Sequence, residues 1–153
     1  MLDKSLTEFL ESGLAIHIGT RNQRMEPNGC RVTAVRVEDQ GSHLIAYLPK
    51  AATPAVLEDL QSNGQAAVSV ARPADDRAVQ IKGVFVSLRD ADAAEQDFVM
   101  AQWQGIVRQL DMIGFNASTT TLSWLMWPCV AVKIRVTNVF SQTPGPDAGA
   151  VLA

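Results

Sequence analysis

The chain has 153 residues, enough for one domain with its own core and too few for two. Apolar residues make up 47% and charged residues 19%, which excludes a disordered chain, and two cysteines exclude a disulfide-built scaffold. Thirteen basic against sixteen acidic side chains give a net charge of −3, which argues against a protein devoted to gripping nucleic acid or an anionic membrane.

The first residues mix acidic with apolar side chains and do not read as a secretory signal. No run of about 18 uncharged apolar residues is present to form a spanning helix. With only Cys30 and Cys129, far apart, the expected setting is a reducing cytoplasm.

Leu2, Leu6, Phe9 and Leu10 recur at helical spacing, and Gly13 is placed to end that helix. Leu14, Ile16 and Ile18 then alternate with Ala15, His17 and Gly19, the pattern of a half-buried strand. A long strand is expected from Cys30 to Glu38, then a turn, then a strand from His43 to Leu48, together a hairpin. Thr53-Pro54 predicts a helix start with a hydroxyl cap and proline at the first position, Val56, Leu57 and Leu60 its buried stripe, and Asn63-Gly64 its end.

Strands follow at Ala66–Ala71 and Ala78–Leu88, joined by a turn-rich loop at Arg72. In the second, Val79 and Ile81 take one parity while Val84, Val86 and Leu88 take the other, a slip centred on Gly83 that a β-bulge would produce. Asp90 to Met112 reads as the longest helix, capped by Asp90 or Asp92 and stopped by Gly114. Its expected apolar face is Phe98, Met100, Trp103, Ile106, Val107 and Leu110. After an irregular stretch with Trp124 and Trp127, the alternation Val130, Val132, Ile134, Val136 marks the last strand. Residues 1–140 read as one domain and 141–153 as a Pro/Gly-rich tail. Short-linked strands interrupted by helices predict a mainly β fold, a six-stranded antiparallel split β-barrel with flanking helices.

Chemistry-bearing motifs are few. There is no HExxH or CxxC for a metal, no GxSxG elbow, and no glycine-rich nucleotide loop. His17 and His43 read as ordinary strand-surface groups, with an axial heme ligand as the alternative. Trp103 reads as core, whereas Trp124 and Trp127 read either as core or as the lining of a groove between subunits. What remains is a cationic and polar set. Arg31 and Arg36 bound the string Arg31-Val-Thr-Ala-Val-Arg36, Lys50 precedes the helix start at Thr53, and Gln80 and Lys82 share a strand. Arginine, lysine, a hydroxyl and a helix start are the donors that fix a phosphate, and an amide suits a heteroaromatic edge. Solvated outer-face residues are the plainer alternative.

Taken in order, that string, the hairpin, the helix ending at Asn63-Gly64, the strand with Ala67-Val-Ser-Val and the run Arg77-x-x-Gln80-x-Lys82-Gly83 resemble the pyridoxamine 5′-phosphate oxidase-like proteins over about residues 8–140. The ending Gln142-Thr-Pro-Gly-Pro resembles an uncharacterised branch of that superfamily. The resemblance implies FMN between the subunits of a homodimer, contacted by Arg31, Val32, Thr33, Arg36, Lys50, Thr53, Gln80 and Lys82. It implies flavin-dependent oxidoreduction of a small substrate. The family's basic, Trp-containing ending is missing, so oxidation of pyridoxamine phosphate itself is not expected. A flavin- or heme-binding protein without turnover, and a ligand-free structural dimer, are the competing readings.

Overall fold

Apolar alternation along the chain produces seven strands in one antiparallel sheet in the computed structural model, which describes residues 1–117, 121 and 124–153. In chain order the elements are α1 (Lys4–Leu10), β1 (Ala15–Arg21), β2 (Pro27–Val32), β3 (Ala34–Glu38), β4 (His43–Pro49) and α2 (Pro54–Asn63). They continue with β5 (Gln65–Ala71), β6 (Ala78–Asp90), α3 (Gln96–Met112) and β7 (Cys129–Ser141). The strand order is β2-β1-β5-β6-β7-β4-β3. The two ends of that order, β2 and β3, are joined by Thr33 alone, so the sheet must curl until its ends meet. The fold is the mainly β, curled antiparallel architecture expected, with seven strands in place of six.

The extra strand comes from a break that the sequence conceals. The expected strand Cys30–Glu38 divides at Thr33: β2 pairs with β1, whereas β3 pairs with β4. Val32 and Val35 lie in the same core although they are three apart. Inward residues of an unbroken strand are separated by even numbers, so parity flips at Thr33. The flip also returns Arg31 and Arg36, five apart, to the outside of the barrel.

Each mouth of the barrel is closed by a helix. Asp3 caps α1, its carboxylate accepting from the Leu6 N–H at 2.8 Å, and Leu6, Phe9 and Leu10 bury into the core. At the other mouth α2 inserts Val56 and Leu60. Its buried Asp59 accepts hydrogen bonds from the Thr20 hydroxyl (2.7 Å) and the Asn28 amide (2.9 Å), tying the helix to β1 and β2. Proline stands first in α2 as expected, but the Thr53 hydroxyl does not cap it. The side chain turns back to donate to the Lys50 carbonyl at 3.2 Å.

The outer face of β3, β4 and β7 is covered by α3, through a second cluster of Ala34, Ile45, Tyr47, Cys129 and Ala131 with Val99. A 3-10 turn, Ala93–Glu95, leads into the helix and is capped by Asp92 and Glu95 in a capping box. The buried residues of α3 are Ile106, as expected, and Val99, Gln102 and Gly105, each one position from an expected residue, with Phe98 and Trp103 only partly buried.

The slip at Gly83 is a register shift between β6 and β7, followed by another between Phe85 and Ser87. With two shifts, Phe85 and Leu88 pack on the core while Val84 and Val86 are exposed. The tail folds back along β7: the Val139 N–H donates to Ala153 at 2.6 Å and the Ser141 N–H to Ala150 at 2.8 Å. It takes the edge that β4, whose pairing ends at Arg135, leaves free.

Candidate functional site

Two sets of outward residues arise from this architecture, on different sides of the barrel. Antiparallel register aligns Arg31 with His17, His17 with Ser69, and Ser69 with Gln80. All four alternate with core residues and so point outward. At about 4.8 Å per strand, Arg31 and Gln80 stand about 14 Å apart along one row. The next row is Gly29, Gly19, Ala67 and Lys82. His17, Gly19, Ser69 and Lys82 are exposed, whereas at the Arg31 end Trp103 and Ile106 of α3, with Trp124, line a small pocket together with Arg31. Short side chains make the floor of the two rows shallow.

Clefts lie to either side of the two rows. One, of about 410 Å³, runs over Gly19, Ala67 and Gly83 between Arg21 and Lys82. The other, of about 300 Å³, is bounded by His17, Ser69, Gln80 and Gln142. Burial and the neighbouring Arg31 lower the pKa of His17, and burial lowers that of Arg31. The Arg31 guanidinium lies 3.6 Å from the centroid of the Trp124 ring, a cation–π stack at the end of the row. The Lys82 ammonium lies 5.2 Å from the Phe140 ring.

Arg36 and Lys50 belong to the second set. Arg36 packs 4.1 Å from the Phe98 ring centroid and 3.6 Å from Glu95. Glu95 is the hub there: it accepts two bonds from Arg89 (2.7 and 2.8 Å), one from the Tyr47 hydroxyl (2.7 Å) and one from the Asp92 N–H (2.9 Å). These contacts, Arg89 first, hold its carboxyl down to about 2. Lys50 pairs with Asp90 at 2.6 Å.

Of the eight residues singled out from sequence, Arg31, Gln80 and Lys82 therefore lie on these two neighbouring rows. Val32 is a core residue. Thr33 is buried at the strand break, its hydroxyl donating to the Met126 carbonyl at 3.2 Å. Arg36, Lys50 and Thr53 are engaged elsewhere. His17 was read only as a surface group or an axial heme ligand, and Ser69 was not singled out. Their signal was the outward parity they share with Gln80, which becomes a site only once register aligns the strands.

Among the described residues, no group of three or more His, Cys, Asp or Glu could hold a metal ion. His43 bonds Asp39 (3.0 Å) and Ser42 (2.9 Å), and nothing supports the heme alternative. Burial pushes both thiols up to about 11, which removes them as nucleophiles near neutral pH. Among the described residues, no helix is long and apolar enough to cross a membrane.

A sheet that curls on itself, plugged by helices at its mouths and flanked by a third, defines the split-barrel class. The fold is that of the pyridoxamine 5′-phosphate oxidase-like, FMN-binding split barrels. The chain is similar to the HupZ protein of Group A Streptococcus, with 13% identity and a TM-score of 0.60 over 97% of this chain and 100% of that one. It is similar to a putative pyridoxamine 5′-phosphate oxidase from Lactobacillus delbrueckii, with 13% identity and a TM-score of 0.56 over 91% and 93%. An FMN-binding protein from Syntrophomonas wolfei gives 12% identity and a TM-score of 0.54 over 91% and 87%. No protein-family model and no curated protein sequence matches the chain.

Proposed function

We propose that the outward face of β2, β1, β5 and β6 seats FMN between two copies of this chain, and that the protein is a flavin-dependent oxidoreductase acting on a small substrate other than pyridoxamine phosphate. The observation that supports this reading above all is the single row holding Arg31 and Gln80, with Lys82 beside it and the exposed His17 and Ser69 between them. The donor chemistry fits the group. Arg31 offers charge-assisted hydrogen bonds to a phosphate, Gln80 offers both a donor and an acceptor to a ring edge, and Lys82 adds a cation. Gly19, Ala67 and Ser69 let a flat ring approach the strands closely. Bound there, FMN would supply hydride or electron transfer, and the residues of the chain would hold and orient it.

A face this open leaves a ligand half in water. A second copy would close it, and the outward Val84 (37% exposed) and Val86 (49% exposed) on β6 give that copy apolar surface to cover. The structures named as FMN-binding or as a pyridoxamine phosphate oxidase support the flavin reading by fold.

The test is the visible spectrum of the purified protein, as isolated and after adding FMN, combined with its mass in solution. Flavin bands that comigrate with a dimer support the reading. A colourless protein that does not take up FMN overturns it, and a heme Soret band would point to the alternative cofactor.

A further inference from the structure

The row that carries the flavin reading places His17 between Arg31 and Ser69, and neither the fold nor the sequence motifs give it a task. Its imidazole is exposed and opens into the cleft of about 300 Å³ shared with Gln80 and Gln142. Across the register it faces Arg31 on β2 and Ser69 on β5, with the Gln80 amide one strand further. Along β1 its outward neighbours are Ala15 and Gly19, and Lys82 lies one row away. The charged neighbours are thus cations, and none of these groups is a carboxylate. In the free protein burial and Arg31 favour the neutral form of the ring.

We propose that His17 is a positioning residue for the anionic end of the ligand: together with Arg31 and Ser69 it forms an anion cradle, and it takes up a proton from solvent when a phosphate seats there. The proposal rests on the FMN reading and extends it. A phosphate brings close to two negative charges beside Arg31, which reverses the field at the imidazole. The charged form, disfavoured before binding, becomes the favoured one. Both ring nitrogens then donate, one toward the phosphate and the other toward solvent or Ser69. No bond is made or broken other than the N–H gained from water, and the cradle gains one positive charge per phosphate bound.

Proton NMR of the histidine C2 protons tests this on the intact protein, with His43 as internal reference and His17→Gln to assign the signals. FMN is the probe and riboflavin, which lacks the phosphate, its control. The expected result is a His17 pKa raised by about one unit or more with FMN and unmoved by riboflavin. His17→Gln should bind FMN about tenfold more weakly than the unaltered protein near pH 6 and equally well near pH 8.5, where the ring stays neutral in both forms. A second variant guards against misfolding of the first: Arg31→Gln, without ligand, should raise the His17 pKa. FMN binding with the His17 pKa unchanged overturns this inference and leaves the flavin reading standing. An equal rise with riboflavin also overturns it, because the ring would then be the cause. Failure to bind FMN at any pH overturns both.

Discussion

The Gln102 side chain holds both backbone groups of Val35: its Oε1 accepts from the Val35 N–H at 3.0 Å and its Nε2 donates to the Val35 carbonyl at 2.7 Å. The reason lies in strand order. β3 ends the sheet, so every second residue along it turns its N–H and C=O away from β4 and finds no strand there. Val35 and Val37 are two such residues, and Glu11 accepts from the Val37 N–H at 2.8 Å just as Gln102 serves Val35. A side-chain amide from α3 thus acts as a one-residue strand.

Gln102→Leu keeps the volume and removes both bonds, leaving a buried N–H and C=O unpaired. At roughly 1–3 kcal/mol for each orphaned group, the expected loss is about 3 kcal/mol. Urea unfolding measures it, and a change below about 0.5 kcal/mol would show that water satisfies Val35 instead.

Glu95 gives a pH signature. Its carboxyl is held near 2 against an ordinary value of 4.5, chiefly by Arg89. A carboxylate depressed in the folded state contributes stability that is fully present above about pH 4.5 and is lost as pH falls toward 2. Glu95→Gln removes the charge that Arg89 and Arg36 face, and is expected to cost about 2 kcal/mol at neutral pH. The gap between variant and parent should narrow over that same acid window, as followed by denaturant unfolding at stepped pH. A gap that stays constant down to pH 2 would contradict the coupling.

The strands, the helices and the bulge were legible because each has an apolar period that its neighbours do not interrupt. The break at Thr33 was not, since Val32, Thr33 and Val35 are β-branched and no glycine or proline marks the change of parity. Ile106 of the α3 stripe was read correctly, but Gln102 was missed because a buried glutamine counts as solvent-facing in an apolar pattern, and it is 4% exposed. The row from Arg31 to Gln80 depends on register across four strands, which no local pattern encodes. The roles expected of Lys50 and Thr53 depend on where their side chains turn, and Asp90 and the Lys50 carbonyl decide that.

Gly83 permits the bulge by having no side chain. A Cβ there would meet the Ile134 methyl and stand 2.6 Å from the Arg135 carbonyl oxygen. Gly83→Ala must part β6 from β7, at a cost of about 2–3 kcal/mol. Thermal unfolding of the variant reads this directly. Because Gly83 also floors the larger cleft, FMN binding should weaken in the variant even below its melting transition.

The two sets of cations separate binding from scaffold. Arg31 lies on the row with His17, Ser69 and Gln80, whereas Lys50 is held by Asp90 beside the start of α3. Arg31→Ala removes a charge-assisted contact worth about 1.5–3 kcal/mol, so FMN affinity should fall by roughly 10- to 150-fold. Lys50→Ala breaks an exposed ion pair worth at most about 1 kcal/mol in stability and should leave FMN affinity within about twofold. Titration of flavin fluorescence with each variant compares them under one condition. Should Lys50→Ala prove the more damaging, the phosphate lies at the α2 end of the barrel and the row from Arg31 to Gln80 is not its seat.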